Sequence, residues 1–449
     1  MNPYIQYMYS YPHKTAYRTL EGIFLQDYAH LLSGSKNSLY LHLPFCQSKC
    51  GYCNLFSVTG QTASAFSCYL DAVERQARQY QELFSDFHPA FTETAIGGGT
   101  PLLLPQDLLE RMFRILDTYF YSGAERELAI ETAPNQTSRE KLQILKQAGA
   151  TRVSMGIQSF CDQELQALGR QHQARKAREA LALLKSFGFP CINVDFIYGI
   201  PGQTIESLLT SLKEALAFEP DEIFLYPLYL KHGAWLPPSP VSSAGHTAYR
   251  QYQEASAFLR GEGYRQDSMR RFVKLAVSSP QEQRPFSECG FGTSLALGCG
   301  GRSYLGNLHF CTPYAVTAGE CSRQLRRFMD TEDFSRITHG ILLSEDEMKR
   351  RYAIRHLLIR PGLDIQRYQQ TFHSQALEDF PLLQDWIRQG YVILSPANNT
   401  NYLTLTEEGL GLSDCLGPQL ISPQIRTKME EWEAALSVSK DEPYPQSLP

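Results

Sequence analysis

The sequence predicts an α/β protein: a partial (β/α)6 barrel preceded by an aromatic N-terminal arm and followed by a small α+β, winged-helix-like domain. Two observations lead to this prediction. Between about residue 36 and residue 230, short β-branched apolar runs alternate with longer amphipathic runs, which is typical of βα units around a parallel sheet. The chain has 449 residues, of which 43% are hydrophobic, so it can form one large domain and a smaller one.

Six short apolar runs are the predicted strands of the barrel: Ser38–Leu43, Phe91–Ile96, Glu127–Glu131, Arg152–Gly156, Cys191–Phe196 and Glu222–Tyr226. Amphipathic runs between them predict helices, among them Ala65–Phe84, Gln106–Tyr119 and Thr204–Phe218. Six repeats are two short of a closed eight-stranded barrel, and ligands of such folds bind at the carboxyl ends of the strands. The residues directly after each strand are therefore the first candidates for function.

The chain changes character after the barrel. Ser344 to Glu347 has the spacing of a capping box at the start of a helix, and Pro361-Gly362 ends that helix. A second helix near Pro381–Arg388 is followed by strand-like runs at Tyr391–Leu394 and Tyr402–Leu405. This order of two helices and a hairpin predicts the winged-helix-like domain.

A glycine-rich segment from Cys289 to Gly306 separates the barrel from this domain. It is too rich in glycine for a helix and predicts a folded loop or bulged strands. We therefore expect three regions: an arm over residues 1–35, the barrel with its glycine-rich extension over 36–330, and a C-terminal domain over 331–449.

Charge and cysteine usage narrow the class of protein. Lys and Arg number 42 against 47 Asp and Glu, a net charge of −5, which supplies neither a broad basic surface for nucleic acid nor a polybasic membrane patch. The 11 cysteines are odd in number, no secretory signal precedes them, and no apolar run approaches the roughly 18 residues of a membrane helix. We expect a cytoplasmic protein with reduced thiols that acts as a monomer, without nucleic-acid or membrane partners.

One group of cysteines has the spacing of a metal site: Cys46, Cys50 and Cys53 in the loop after the first predicted strand. Three thiolates at the spacing CxxxCxxC can bind three irons of a cuboidal 4Fe-4S cluster and leave the fourth iron without a protein ligand. This open iron can bind the amine and carboxylate of an amino acid. The cluster can then pass one electron to a sulfonium group of the bound molecule. The alternatives are a zinc site, which needs four ligands and usually paired CxxC motifs, or three structural thiols.

The loop YLHLPFCQSKCGYCN and the motif Gly97-Gly-Gly-Thr-Pro101 resemble the radical S-adenosylmethionine (SAM) superfamily, and within it the coproporphyrinogen dehydrogenase-like branch. The resemblance continues through SMGIQSF at the fourth strand and NVDFIYGIPGQ at the fifth. It implies a radical SAM barrel with a 4Fe-4S cluster on the three cysteines, a bound SAM, and a flavodoxin or ferredoxin as electron donor. By this resemblance, the residues that bind SAM are Tyr40, Tyr52, Gly98, Gly99, Thr100, Glu131, Gln158, Arg170, Asp195 and Tyr229.

The resemblance implies a role for three of these residues. Glu131 accepts a hydrogen bond from the amino group or ribose of SAM, Arg170 binds a carboxylate, and Asp195 lies near the nucleoside of a second SAM. Outside this family, a glutamate at the end of a strand is more often an ion-pair partner, and a single arginine is more often a solvated surface charge.

The cluster loop departs from the branch at one position. Leu55 stands where the anaerobic coproporphyrinogen dehydrogenases carry a further cysteine, which argues against oxidative decarboxylation of coproporphyrinogen. In the class C methyltransferase subgroup, which has the same short loop, a second SAM donates its methyl(ene) carbon to an sp² carbon. We therefore expect methylation or cyclopropanation of a planar, aromatic or porphyrin-like substrate, with a haem-binding chaperone and a coproporphyrinogen oxidase-like enzyme as alternatives.

Several other features allow two interpretations. His42 is either an acid–base group near the cluster or a packing residue. The C-terminal domain is either a lid over the open barrel end or a packing module. Tyrosines of the arm either stack on a flat substrate or pack the end of the barrel, and these are Tyr4, Tyr7, Tyr9, Tyr11 and Tyr17.

The eight cysteines outside the loop are expected to be small buried residues rather than ligands. Four of them fall in or near the glycine-rich segment and have wide spacings, so an auxiliary cluster is the less favoured interpretation: Cys289, Cys299, Cys311 and Cys321. The other four are expected in the core: Cys68, Cys161, Cys191 and Cys415.

Overall fold

A computed structural model describes residues 2–8, 10–33, 36–120, 126–230, 236, 245–275, 292–397 and 400–438. Two residues singled out in the sequence, Tyr9 and Cys289, lie outside the described residues. Among the described residues, no helix combines the length and the apolar character needed to cross a bilayer.

Thirteen strands form one large sheet, and three form a small second sheet. In chain order the strands are β1 (Arg18–Phe24), β2 (Asn37–Leu43), β3 (Phe91–Gly98), β4 (Glu127–Thr132), β5 (Arg152–Gln158), β6 (Cys191–Tyr198), β7 (Glu222–Pro227), β8 (Tyr264–Gln266), β9 (Arg271–Lys274), β10 (Ser294–Leu297), β11 (Arg302–Leu305), β12 (Leu308–Cys311), β13 (Arg336–Leu342), β14 (Leu363–Asp364), β15 (Val392–Ala397) and β16 (Thr400–Leu405). The large sheet has the order β1-β13-β12-β11-β10-β2-β3-β4-β5-β6-β7-β9-β8.

The α-helices of the described chain are α1 (Ala63–Phe84), α2 (Gln106–Phe120), α3 (Arg139–Gln147), α4 (Asp162–Ala167), α5 (Ala174–Ser186), α6 (Ile205–Leu216), α7 (Gly245–Gly261), α8 (Ala318–Met329), α9 (Glu345–Leu357), α10 (Ile365–Phe372), α11 (Ala376–Asp379), α12 (Leu382–Arg388), α13 (Glu407–Gly411), α14 (Ser413–Leu416) and α15 (Pro423–Val438). Short 3-10 helices lie at Lys14–Ala16, Leu25–Leu32, Ser85–Phe87, Pro101–Leu103, Pro134–Gln136 and Gly417–Leu420.

Strands β2 to β7 lie side by side in chain order and are all parallel, which confirms the six predicted barrel strands. Both faces of such a sheet are covered, so its strands are nearly continuous apolar runs. In β2, for example, Leu39, Leu41 and Leu43 are at most 1% exposed. Because parallel strands all end at the same edge, the loops after β2 to β7 come together at one end of the barrel.

The covering helices begin and pack as their sequences predict. At the start of α6, the Thr204 hydroxyl accepts from the Ser207 backbone N–H and the Ser207 hydroxyl accepts from the Thr204 backbone N–H. Helix α2 buries one apolar stripe that includes Leu109, Met112 and Leu116. These contacts fix the outer layer and leave the carboxyl ends of the strands open.

The sheet continues beyond the six parallel strands on both sides. The glycine-rich segment supplies β10, which is parallel to β2, and the antiparallel β11. Strands β12, β13 and β1 follow on that side, and β9 and β8 extend the sheet next to β7. Of the two predicted possibilities for this segment, a folded loop or bulged strands, the structure shows strands. The barrel stays open because β1 and β8, at the two ends of the order, do not pair with each other.

The arm and the C-terminal region both take part in the large sheet. Strand β1 pairs with β13, with Arg18 opposite Gly340. The first of these strands lies in the predicted arm and the second in the predicted C-terminal domain. The division at residues 35 and 330 remains a prediction, but the contacts show that these segments are packed against the barrel.

The C-terminal region has its own core around the sheet of order β14-β16-β15. Trp386 and Tyr368 are among its fully buried side chains, and Tyr11 and Tyr17 of the arm pack into the same core. The predicted capping residue Ser344 starts α9, since its hydroxyl accepts from the Glu347 backbone N–H. The arm is therefore held between the barrel and the C-terminal region.

Candidate active site

A cavity of about 480 Å³ lies at the carboxyl ends of the parallel strands. It brings together all but one of the predicted cluster ligands and SAM-binding residues: Cys46, Cys50, Tyr52, Cys53, Gly98, Gly99, Thr100, Glu131, Gln158, Arg170, Asp195 and Tyr229. We call the part formed by Cys46, Cys50, Cys53, Gly98, Gly99, Thr100, Glu131 and Arg170 the cluster half. The part formed by Tyr7 of the arm, Tyr226 in β7, Tyr229 just after β7 and Arg270 just before β9 is the remote half.

Backbone hydrogen bonds fix the loop that carries the three cysteines. The Cys46 N–H donates to the Val58 carbonyl (3.0 Å) and the Cys53 N–H donates to the Cys50 carbonyl (3.1 Å). Burial raises the pKa of the Cys46 thiol to about 12 and also raises the pKa of Cys53. A metal that binds these thiols must displace their protons, so metal binding and thiol deprotonation are coupled at this loop.

Arg170 links the cysteine loop to strand β5. Its Nη1 lies 3.1 Å from Cys50 Sγ, and its Nη2 donates to the carbonyl of Gly156 at 2.7 Å. Its Nε is buried and has no hydrogen-bond partner. The arginine thus places a positive charge directly beside a predicted iron ligand.

The three glycines at the end of β3 and directly after it, Gly97 to Gly99, keep this corner free of side chains. A Cβ on Gly97 would lie 2.7 Å from Glu131 Oε1, and a Cβ on Gly99 would lie 2.4 Å from the carbonyl oxygen of Phe45. The Thr100 N–H donates to the same carbonyl (2.7 Å), so the glycine turn and the start of the cysteine loop are in direct contact. Glycine is therefore required here by the protein's own backbone and by Glu131.

Glu131 faces the cavity, and its Oε2 accepts a hydrogen bond from the Gly98 N–H at 3.3 Å. Although its side chain is exposed to the cavity, it lies deep in the protein, and desolvation together with the nearby charge of Asp195 raises its pKa to about 7. Desolvation also raises the pKa of Asp195 to about 6, against the effect of the amide of Asn193, which donates to Asp195 Oδ1 at 2.7 Å. The site thus holds two carboxylates that titrate near neutrality.

Gln158 reaches the cavity through an unusual backbone conformation. Its φ is +73°, in the left-handed region that residues other than glycine seldom adopt. A Cβ on Gly156 would lie 2.8 Å from Gln158 Nε2, so the glycine two positions earlier provides the space for this side chain. The SMGIQSF motif therefore supplies both the strained glutamine and the room that it needs.

The cluster half fits a 4Fe-4S cluster with SAM better than it fits one metal ion. Among the described residues, no three His, Cys, Asp or Glu side chains lie close enough together to hold an ion. A cuboidal cluster binds each thiolate to a different iron and so does not need the thiols at one point. The unpartnered Arg170 Nε also indicates a missing polar ligand, because buried polar groups are normally hydrogen-bonded.

Tyr40 is the one predicted SAM-binding residue that does not line the cavity. Its hydroxyl lies 3.2 Å from Nδ1 of His42, whose Nε2 donates to the Phe56 carbonyl at 2.9 Å. Burial lowers the pKa of His42 to about 4, so the ring is neutral and accepts from Tyr40. Of the two interpretations of His42, the geometry favours a packing residue that holds the end of the cysteine loop.

The arm tyrosines differ in where they lie. Tyr4, Tyr11 and Tyr17 are at most 6% exposed and serve as packing. Tyr7 lines the cavity, where its ring is parallel to that of Tyr229 (interplanar angle 5°, centroids 6.3 Å apart). The arm therefore supplies one wall of the remote half.

No motif in the sequence points to Arg270, which also lines the cavity. It lies immediately before β9, and its carbonyl accepts from the Leu225 N–H of β7. Ser154 and Gly156 were quoted only as parts of a motif, and both prove to be lining residues. From sequence alone, a single arginine in a polar stretch cannot be distinguished from a surface charge. Only the fold shows which side chains surround it.

The cysteines outside the loop differ in burial. Cys299, Cys321 and Cys415 are buried, as expected, and Cys161, Cys191 and Cys311 are partly buried. Cys68 is exposed, so its expected place in the core is wrong: it falls on the outer face of α1.

Comparisons with known proteins agree with this geometry. Residues 40–215 match the model of the Radical SAM superfamily. The oxygen-independent coproporphyrinogen III oxidase of Salmonella typhimurium is 26% identical over 417 residues, which cover 87% of this chain and 89% of that protein. The heme chaperone HemW of Bacillus subtilis is 29% identical over 389 residues, which cover 83% of this chain and 96% of that protein.

Among solved structures, coproporphyrinogen III oxidase (HemN) of Escherichia coli has a similar fold. The TM-score is 0.74 at 23% sequence identity, and the match covers 92% of this chain and 96% of that one. The similarity in fold therefore includes the arm and the C-terminal region as well as the barrel.

Proposed function

Residues 40–215 of this chain are a radical SAM domain, and from that premise we propose that the protein cleaves SAM reductively and directs the resulting radical at a planar, porphyrin-like substrate. One observation carries the proposal. Three cysteines, Arg170 and Glu131 meet in one cavity at the carboxyl ends of the strands, although they come from separate loops and strands.

Cys46, Cys50 and Cys53 would hold the cluster, and the backbone at Gly98 to Thr100 together with Glu131 would hold the amino-acid part of SAM. When bound, the cluster supplies one electron to SAM, which yields methionine and a 5′-deoxyadenosyl radical. Arg170 contacts Cys50 Sγ and the Gly156 carbonyl and so keeps the loop against the strand ends. Asp195 and Gln158 face the space beyond and would hold the nucleoside.

The remote half suits a flat aromatic substrate. Tyr7 and Tyr229 present parallel rings, and Tyr226 lies edge-on to Tyr7 with centroids 6.3 Å apart. Leu55, which is 47% exposed, adds an apolar wall beside the cysteine loop. The relatives are named for coproporphyrinogen III and for heme, so a tetrapyrrole is the substrate class that we propose.

A second SAM as methyl(ene) donor is a further proposal, for methylation or cyclopropanation of an sp² carbon. It is favoured by the extension of the cavity from the cysteine loop to Tyr229 and Arg270, which leaves room beyond the first SAM. The names of the relatives given above do not support this second proposal. We also propose a flavodoxin or ferredoxin as electron donor, a cytoplasmic location and a monomeric state.

Product analysis tests the proposal. The protein is reconstituted anaerobically with iron and sulfide, reduced with dithionite, and incubated with SAM and coproporphyrinogen III. We expect 5′-deoxyadenosine, formed faster when the tetrapyrrole is present. Equal amounts of S-adenosylhomocysteine would support the two-SAM reaction, whereas 5′-deoxyadenosine alone would support oxidation. Tight haem binding without any 5′-deoxyadenosine would contradict the enzyme and support a chaperone.

A further inference from the structure

Arg270 is a buried arginine of the remote half, and its surroundings hold it firmly. It is 7% exposed, and its Nη2 donates to the carboxylate of Asp414, which is fully buried in α14 of the C-terminal region. The guanidinium lies over the ring of Tyr7, 3.8 Å from the centroid. A charge from the barrel, a ring from the arm and a carboxylate from the C-terminal region therefore meet at this residue.

Asp414 also holds Tyr229 and the N-terminal arm in place. Its Oδ2 also accepts from the Tyr229 hydroxyl at 2.7 Å, and its Oδ1 accepts from the Met8 N–H at 3.3 Å. The Asp414 backbone carbonyl accepts from the N–H groups of Ile5 and Gln6 at 3.2 and 3.1 Å. Much of the carboxylate's hydrogen-bonding capacity is thus used by groups other than Arg270.

Arg270 keeps donors that the protein does not use. A guanidinium has five N–H donors on three nitrogens. In Arg270, the carboxylate of Asp414 accepts from one of these nitrogens, Nη2. Its Nε is buried without a hydrogen-bond partner, and no residue in the described part of the chain accepts from Nη1. Because Arg270 lines the cavity and its Nε is enclosed by protein, the donors available to a ligand there are those of Nη1.

We propose that Arg270 binds a carboxylate of the ligand in the remote half, with Asp414 and Tyr7 as the residues that position it. A carboxylate is the anion that matches a planar guanidinium, and a ligand that completes the arginine's hydrogen bonds removes the cost of an unsatisfied buried donor. The proposal rests on the proposed function for the identity of the ligand, but not for the chemistry of the site.

Two ligands of the proposed reaction carry such a group. A tetrapyrrole of the coproporphyrin type has carboxylate side chains on a flat ring, which would lie against Tyr7 and Tyr229. A second SAM has the carboxylate of its methionine part. The chemistry at Arg270 is the same in both cases, and binding measurements distinguish them.

The test uses a charge-balanced variant, because loss of one partner alone would leave a buried charge unpaired. Arg270→Gln combined with Asp414→Asn removes both charges and keeps polar groups of similar size. The control, Arg178→Gln with Glu214→Gln, removes an ion pair (2.6 Å) between the outer helices α5 and α6. Thermal unfolding and iron content of both reconstituted proteins establish that they are folded.

Binding of coproporphyrin III, its tetramethyl ester and SAM is then measured for each protein. For the wild type and the control, we expect the free acid to bind at least about tenfold more tightly than the ester, the value of one charge-assisted hydrogen bond. The Arg270 variant should lose that preference. If instead it loses only a second equivalent of SAM, the carboxylate belongs to SAM.

The assignment is wrong if neither the preference for the acid nor the amount of bound SAM differs between the Arg270 variant and the control. Failure of the proposed function has a different signature, since it is the absence of 5′-deoxyadenosine from the wild-type protein.

Discussion

At the scale of single residues, Glu131 shows how position changes a side chain's chemistry. It is the last but one residue of the parallel strand β4, deep in the barrel, where desolvation and the charge of Asp195 raise its pKa to about 7. A carboxylate with a raised pKa loses its charge as the pH falls through that pKa. If Glu131 contacts SAM as proposed, the affinity for SAM therefore depends on pH.

We predict that the affinity for SAM falls about tenfold as the pH is lowered from about pH 8.5 to about pH 6, because the protonated Glu131 no longer accepts a charge-assisted hydrogen bond. Glu131→Gln should bind SAM about as weakly as the wild type does at low pH, with little dependence on pH. Equilibrium dialysis with labelled SAM measures both. A variant that keeps the wild-type affinity and pH profile would remove Glu131 from the site.

The same carboxyl group links pH to stability. Its pKa is higher in the folded protein than in the unfolded chain, so the folded form binds this proton more tightly. Its contribution to stability is therefore greatest below the unfolded pKa of about 4.5 and is lost as the pH rises toward about 7. In SAM-free protein, Glu131→Gln should reduce the loss of stability over this range, measured by urea unfolding at a series of pH values.

Single residues also mark what sequence alone can and cannot predict. The cysteine loop, Glu131, Arg170 and Asp195 could be found because they lie in ordered motifs at strand ends. The binding of SAM by Tyr40 remains a prediction, and its motif does not show that its hydroxyl meets His42. Arg270 could not be found, because its role depends on Asp414, which is 144 positions away in the chain.

At the scale of elements, the turn after β3 and the cysteine loop act as one unit. The Gly99 N–H donates to the Leu43 carbonyl and the Thr100 N–H to the Phe45 carbonyl, both at 2.7 Å. These contacts place the backbone just before Cys46. Any side chain at Gly99 would have to displace this part of the backbone.

Gly99→Ala should therefore impair cluster assembly. Its Cβ would meet the Phe45 carbonyl oxygen at 2.4 Å, a clash with backbone that costs on the order of 1–3 kcal/mol and moves the loop. We expect most of the iron to be lost after anaerobic reconstitution. Gly261→Ala is the matched control, because nothing lies within 4 Å of its Cβ, and it should retain all of its iron. Equal iron content in the two variants would contradict this account of the turn.

The elements also differ in how far their sequences predict them. Strands β2 to β7 are buried on both faces and have clear apolar runs, so all six were predicted. Strands β10 to β12 have only four residues each and are separated by short turns, too short for a periodic pattern. The pairing of β1 with β13 joins distant parts of the chain, which no local pattern reports.

At the scale of the whole molecule, the arm connects the barrel to the C-terminal region. Tyr11 is 2% exposed and donates its hydroxyl hydrogen to Glu347 of α9, while its oxygen accepts from the Ser422 N–H at 3.3 Å. Arg18 extends the same contact to α15 by pairing with Glu431 at 2.9 Å. In the structure, the C-terminal region is therefore already in place beside the remote half.

Tyr11→Phe should lower the free energy of unfolding by about 1–3 kcal/mol, because the buried Glu347 carboxylate loses one of its two hydroxyl donors. The midpoint of urea unfolding measures the change. Tyr28→Phe is the control, since the Tyr28 hydroxyl makes no hydrogen bond to the described residues, and its effect should stay below about 0.5 kcal/mol. Equal effects of the two variants would show that the Tyr11–Glu347 contact does not hold the arm.

The central claim is that the three-cysteine loop binds a cluster that cleaves SAM, and formation of 5′-deoxyadenosine tests it most directly. The product is measured after anaerobic reconstitution and dithionite reduction of three proteins: the wild type, Cys50→Ala, and Cys68→Ala as a control at an exposed cysteine outside the cavity. The account predicts 5′-deoxyadenosine from the wild type and Cys68→Ala and none from Cys50→Ala. Cluster-loaded wild-type protein that leaves SAM intact, or a Cys50→Ala protein that still cleaves it, would contradict the claim.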